Sequence, residues 1–396
     1  MILFEILFWV SVLLVLHVYV GYPLSADLVS RLRRAARDSC PGLPELPSVT
    51  VIIPAHDEER WIARKIENTL ALDYPTDRLQ ILVASDGCTD KTVEIAGRYA
   101  ARGVEVNHHA ERSGKTATLN RAVPEARAEI ILITDCDALL PPEALQLLIR
   151  HFQDPNVGCV TGQKVCLPTE SSASEGEGLY WRYEAWIKRS ESRLNSCLGG
   201  NGQILAARRC LVTQIPETSD DFYIPMRILI STGKRVVFEP RAKAAIPAAA
   251  TLAQELERKI RTHRSSLRNL YYLREGLKPW KSAIWWQFWS HHALRLFVPY
   301  ALLMALLFSA FLWEAAALYR VTAIGQCVFY VAAAAGCVLT RWGLRPRIFY
   351  IPFYFVLANL GVLLAWVRWA RAKQPYVWQR TERMLPAVEP LNHSRS

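Results

Sequence analysis

Where charge is missing constrains this chain most. Phe4–Val20 is interrupted only by Glu5, Ser11 and His17, and three further apolar runs cover Val298–Leu318, Val321–Thr340 and Ile348–Val367. A helix of about 20 apolar residues crosses the ~30 Å hydrocarbon layer of a bilayer. Runs of this length flanked by Trp and Arg read as membrane segments, not as core helices. Just before the last three, Trp280–Phe297 mixes four Trp with Lys281, two His and Arg295. That mixture predicts a helix lying in the membrane interface. The charged middle of the chain is then a folded domain held between membrane segments.

Basic residues crowd beside the apolar runs: Arg31, Arg33, Arg34 and Arg37 after the first, Arg341, Arg345 and Arg347 before the last, and Arg368, Arg371 and Lys373 after it. The formal charge of +11 therefore reads as membrane-flanking, suited to anionic lipid surfaces. No nucleic-acid recognition motif accompanies it, and no nucleic-acid partner is expected. Positive charge following the first run places the N-terminus outside and the middle domain in the cytosol. Counting three further crossings puts the C-terminus outside, although the last basic cluster favours the inside. The nine cysteines form no CxxC pair and read as reduced thiols of a cytosolic domain.

Composition sets the expected boundaries: a transmembrane helix at 1–24, a basic juxtamembrane segment and linker at 25–47, an α/β domain at 48–277, an interfacial helix at 278–297, three membrane segments at 298–373 and a tail at 374–396. Within the α/β domain, strands are predicted at Thr50–Pro54, Leu79–Ser85, Val104–Asn107 and Glu129–Thr134. Helical periodicity fills Glu58–Leu72 and Lys91–Ala101, and further strands are expected at Val157–Val165 and Arg235–Glu239. Strands alternating with helices predict a mostly parallel sheet covered on both faces.

Ligands of such a sheet bind at the carboxyl ends of its strands. Three acidic stretches fall there: Pro54-Ala-His-Asp-Glu-Glu59, Ser85-Asp-Gly-Cys-Thr-Asp90 and Thr134-Asp-Cys-Asp-Ala138. Each alone could be helix capping; three at one sheet edge point to a site. Asp135 and Asp137 leave their strand on the same face, which suits a hard cation that completes its shell with water and phosphate. Arg112-Ser-Gly-Lys-Thr116 is not a full phosphate loop, because His109 stands where that loop needs glycine. Gly114-Lys115 before a helix still brings one cation to a diphosphate. Ser219-Asp-Asp221 precedes a helix at Phe222–Thr232 and offers either a cap or a general base. Leu198-Gly-Gly-Asn-Gly202 lets backbone approach a ligand closely.

In order and spacing, these stretches resemble the family-2 glycosyltransferases, in particular the membrane-bound branch around cellulose, chitin, hyaluronan and poly-N-acetylglucosamine synthases. The resemblance covers about residues 48–277. It implies a GT-A fold, Rossmann-like with a mostly parallel mixed sheet, and inverting sugar transfer from a nucleotide-sugar donor, usually a UDP-sugar, with Mg2+ or Mn2+. Pro54, Asp57, Glu58, Asp86, Lys115, Asp135 and Arg261 match donor-binding positions, Asp135 and Asp137 the metal motif, and Asp221 the catalytic base. Gly200, Asn201 and Asp220 match the loop facing the acceptor and sugar. One departure stands out. Long-polymer synthases carry Gln-x-x-Arg-Trp after the base, and the stretch here is Arg258-Lys-Ile-Arg261-Thr262. The arginine is kept and the acceptor-stacking Trp is not, which argues against processive synthesis. The implied acceptor is a glycan or a lipid-linked molecule at the inner membrane, with export or polymer-assembly proteins as possible partners. The alternatives are a single-sugar transferase acting on a lipid carrier, or a silent scaffold or export subunit.

Overall fold

The computed structural model describes residues 1–32, 45–166, 173–247, 252–344 and 346–371. Arg33, Arg34, Arg37, Arg345, Lys373 and the tail at 374–396 lie outside them. The chain opens with a long helix, α1 (Ile2–Leu32), which continues through a π-helical turn at His17–Gly21. It thus runs past the expected boundary at residue 24 and carries Arg31 on its last turn.

The middle domain follows as β1 (Val49–Ala55), α2 (Ile62–Leu70), β2 (Leu79–Ser85), α3 (Thr92–Gly97), β3 (Val104–Asn107), α4 (Lys115–Glu125), β4 (Ile130–Ile133) and α5 (Ala144–Ile149). Then come β5 (Val157–Cys166), α6 (Ala173–Leu194), β6 (Leu205–Arg208), α7 (Asp220–Thr232), β7 (Arg235–Ile246) and α8 (Leu252–Tyr272). The strands form one sheet in the order β3-β2-β1-β4-β6-β5-β7. All neighbouring pairs are parallel except those of β6, which runs antiparallel to both β4 and β5.

Strand alternation divides the core between the two faces. Val49, Val51 and Ile53 of β1 join Ile130 and Leu132 of β4 on one face, beneath α2 and α5. Ile52, Ile131 and Ile133 point to the other, beneath α4 and α7. Every residue of β1 and β4 is buried, and each buried Val, Ile or Leu contributes about 1.5–3 kcal/mol of transfer free energy. Two-sided burial explains why these strands read as continuous apolar runs and not as alternating ones.

Three helices close the described chain: α9 (Trp285–Phe311), α10 (Ala317–Arg341) and α11 (Arg347–Arg371). With α1 they are four helices long and apolar enough to cross a membrane. The stretch expected as a separate interfacial helix is not separate. Short α, π and 3-10 turns at Trp285–Gln287, Phe288–Ala293 and Leu294–Phe297 run directly into Val298–Phe311. Its polar residues are tolerated because α6 pairs them. Arg295 donates to Glu184 (2.6 Å), and His291 Nδ1 lies 2.7 Å from Glu191. Glu191 also accepts from Tyr22 of α1 and from the Leu198 amide (3.0 Å). One buried carboxylate thus joins α1 and α9 to the glycine-rich loop at 198–202.

Candidate active site

The carboxyl ends of β1 and β4 open into a cavity of about 310 Å³. Of the residues singled out by sequence, Pro54, Glu58, Lys115, Asp135, Asp137, Asn201, Asp220, Asp221 and Arg261 line it. At its centre stands Lys115, the first residue of α4. Its Nζ lies 2.8 Å from Asp135 Oδ1 and 3.1 Å from Asp220 Oδ2. Burial alone would lower the pKa of this ammonium, but Asp135 and Asp220 outweigh it and raise the value, so the residue stays charged. The other oxygen of Asp135 accepts from Gln203 Nε2 at 2.9 Å. Asp135 is therefore held by protein donors on both oxygens, and Asp137 follows it into the same cavity.

Asp220 and Asp221 open α7, where the free backbone N–H groups of a helix N-terminus favour carboxylates. Neither is the cap: Ser219 holds that position, and its side chain makes no capping bond. The two aspartates differ in setting. Asp220 is 5% exposed, and burial, with Asp221 and Asp135 nearby, pushes its carboxyl up to about 6 against the pull of Lys115. Asp221 is partly exposed to the cavity. Its backbone carbonyl accepts from the Gly200 amide at 2.6 Å, which ties α7 to the glycine-rich loop. Asn201 is fixed in turn by Thr161 (2.8 Å) and by Gly162 of β5. Asn120 of α4 exchanges two 2.8 Å bonds with Ile215 and fixes the segment leading to Ser219.

Asp57, Asp86 and Gly200 are not in the cavity lining. Asp57 adopts φ +52 and accepts from the Thr89 amide at 2.7 Å. Asp86 accepts from the Ser113 and Gly114 amides, both at 2.8 Å. Burial would raise the carboxyl of Asp86, but those N–H groups hold it below the usual range. Both carboxylates shape the loops that follow β1 and β2, and Asp86 sets the entry to Lys115.

Several residues in or behind the cavity were not singled out from sequence. Lys65 is wholly buried behind β4, with its Nζ 2.7 Å from Thr134 Oγ1 and 2.6 Å from Ala138 O. Its signal was a lysine on the apolar face of α2, in phase with Ile62, Ile66 and Thr69. A basic and aromatic wall made by β5, α6, α8 and α11 adds Lys164, Trp181, Lys259 and Tyr354 to the expected Arg261. Nothing local in sequence joins these, because they come from four separated elements.

This geometry agrees with the comparisons to known proteins. The model of "Glycosyl transferase family 2" matches residues 50–207, and that of "Glycosyl transferase family group 2" matches residues 130–370. The chain belongs to glycosyl transferase family 2. Among curated relatives, a beta-monoglucosyldiacylglycerol synthase of Nostoc sp. is 29% identical over 40% of this chain and 36% of its own length. A poly-beta-1,6-N-acetyl-D-glucosamine synthase of Staphylococcus aureus is 24% identical over 56% of this chain and 55% of its own. The chain spans about a third to a half of these relatives. Among solved structures, the mannosyltransferase PcManGT from Pyrobaculum calidifontis, in complex with GDP-Man and Mn2+, superposes with TM-score 0.70. It covers 93% of this chain and 100% of its own at 22% identity, and shares the GT-A architecture with flanking helices.

Proposed function

We propose that this family-2 glycosyltransferase moves one sugar from a nucleoside diphosphate sugar to a hydroxyl presented at the membrane, with inversion. One observation carries the reading: Lys115, Asp135, Asp137, Asp220 and Asp221, drawn from three elements, share a single cavity with Arg261. A carboxylate pair at a strand end fits a hard divalent cation, as does the Mn2+ in the PcManGT complex. Asp137 would hold the cation and Asp135 would assist, and when bound it would neutralise charge on the departing diphosphate. Lys115 and Arg261 add fixed positive charge to the same leaving group. Asp221 takes the acceptor proton. The acceptor oxygen then bonds to the anomeric carbon as the bond from that carbon to the diphosphate breaks, and the nucleoside diphosphate leaves with the electron pair. Asp220, buried and ion-paired with Lys115, fits a supporting role better than that of a base. No covalent enzyme intermediate is required.

The catalytic domain faces the cytosol in this reading, where nucleotide sugars are made, and the apolar helices bring lipid or nascent glycan to the cavity mouth. The test is nucleoside diphosphate release by purified protein from a panel of UDP- and GDP-sugars, with and without Mg2+ or Mn2+. Release from one donor class that needs the metal is expected; silence across the panel in folded protein sinks the proposal.

A further inference from the structure

The glycine-rich loop beside the active site has little rigidity of its own. Gly199 stands at φ +63, and Gly199-Gly200 gives the chain two consecutive residues that rotate at small steric cost. Side chains nevertheless pin its backbone. The Leu198 amide donates to Glu191 Oε2 at 3.0 Å, Lys188 Nζ donates to the Gly200 carbonyl at 3.1 Å, and the Asn201 amide donates to Thr161 Oγ1 at 2.8 Å. The Gly200 amide is thereby aimed at the backbone carbonyl of Asp221, 2.6 Å away. Two of these pins come from one face of α6, because Lys188 and Glu191 lie three residues apart on that helix.

The same stretch of α6 meets the apolar helices. Glu191 is fully buried. Its Oε1 accepts from Tyr22 of α1 and lies 2.7 Å from His291 Nδ1 of α9. Helix α9 also reaches the residue after Asp221: the His292 ring stacks on Phe222, with ring centres 4.0 Å apart. A buried carboxylate is costly, and packing alone is served as well by an apolar side chain of similar size. What Glu191 adds is a fixed path from two candidate membrane helices to the backbone of Asp221.

We propose that Lys188 and Glu191 are positioning residues, which hold Asp221 at its working position and tie that position to the packing of α1 and α9. The inference rests on the transferase reading above, in which Asp221 takes the acceptor proton. Neither residue lines the cavity. Lys188 acts through the Gly200 carbonyl and Glu191 through the Leu198 amide, so their loss changes the step that uses the base and spares the grip on the donor.

The test uses the full chain in lipid nanodiscs, with the donor identified by the panel. Lys188→Met should lower kcat for nucleoside diphosphate release about tenfold and change donor KM by less than about twofold, since a slightly displaced base loses rate without losing donor contacts. Lys188→Arg keeps a donor for the Gly200 carbonyl and should restore most of the rate. Glu191→Gln should behave as Lys188→Met does, because an amide cannot accept on both sides where the carboxylate does. Tyr22→Phe, which removes one hydrogen bond to Glu191, should lower kcat about threefold. Thermal unfolding identifies the variants that fold. Unchanged kcat in folded Lys188→Met overturns the positioning role, and an equal rise in donor KM overturns it in favour of donor binding. Unchanged kcat in Tyr22→Phe overturns the tie to the membrane helices. A silent donor panel sinks only the transferase reading, and the link is then read by hydrogen exchange. Exchange at residues 198–202 and in the first turn of α7 should both quicken in Lys188→Met; quickening that stops at the loop overturns the proposal.

Discussion

Replacing Lys65 with Met tests whether the metal motif is held from behind. The Lys65 amine bridges Thr134 and Ala138 at 2.7 and 2.6 Å, bracketing Asp135 to Asp137. In Lys65→Met, Thr134 Oγ1 keeps its 2.9 Å bond to Gln203 O, while Ala138 O loses the amine at a cost of about 1–3 kcal/mol. Against that stands the cost of burying the amine. Burial lowers its pKa from 10.5 to about 7, with Cys136 and Asp135 opposing, a difference of roughly 5 kcal/mol at neutral pH. Lys65→Met should therefore fold and match or exceed the wild type in thermal stability near pH 7. Between about 7 and 10.5 the unfolded chain binds a proton that the folded chain does not, so wild-type stability rises with pH relative to the mutant. The gain is about 1.4 kcal/mol per unit, or roughly 3 kcal/mol from pH 7.5 to 9.5, measurable by denaturation followed through Trp fluorescence. Function should move the other way. With its tie removed, the Asp135–Asp137 segment should lose about 10–100-fold in apparent metal affinity, as supporting partners of metal ligands commonly do. A Mn2+ titration of donor hydrolysis reads that shift. An unchanged metal midpoint in a folded mutant would refute the reasoning, and a stability difference independent of pH would remove the buried amine from it.

Asp137→Ala should abolish metal-dependent release while the protein remains folded in detergent, checked by turnover beside thermal unfolding. Asp221→Asn should lose at least 100-fold in kcat and still bind the nucleoside diphosphate, because proton removal is separable from donor binding; an active Asp221→Asn beside a dead Asp220→Asn would transfer the base to the neighbour. Gly87→Ala should destabilise by about 2–4 kcal/mol, since φ is +58 and the new Cβ would lie 2.5 Å from the Arg112 amide nitrogen; an unchanged melting temperature would contradict it. For topology, Ser394→Cys in a background lacking other accessible thiols should react with a membrane-impermeant reagent only after the membrane is opened.

That last expectation departs from the sequence count of crossings, and the departure shows what a sequence exposes. The strand ends were legible because two-sided burial leaves unbroken apolar runs, and Leu79–Ser85 and Val104–Asn107 fall where the pattern put them. Strand β6 was not, because four residues, Leu-Ala-Ala-Arg, carry no period of their own and pair only through β4 and β5. The carboxylates were legible because each sits at a strand or helix end. Lys65, Gln203 and the basic wall were not, since their meaning lies in partners up to 73 residues away or on other elements. Hydropathy has the same blind spot. It scores α11 as long and apolar enough to cross, yet 39% of its apolar window is buried in protein, as for α9, against 17% for α1 and α10. The charged helix α8 supplies part of that cover. Leu252 and Leu256 pack with Tyr350 and Phe353 near one end of α11, Lys259 meets Tyr354, and Glu257 pairs with Arg368 at the other end. A helix touched at both ends by one element of the catalytic domain is better placed along that domain than across a bilayer. With three crossings in place of four, the basic groups on both sides of α11 would fall on the same side as the middle domain. The conflict between Arg341 and Arg347 before that helix and Arg368 and Arg371 after it then disappears.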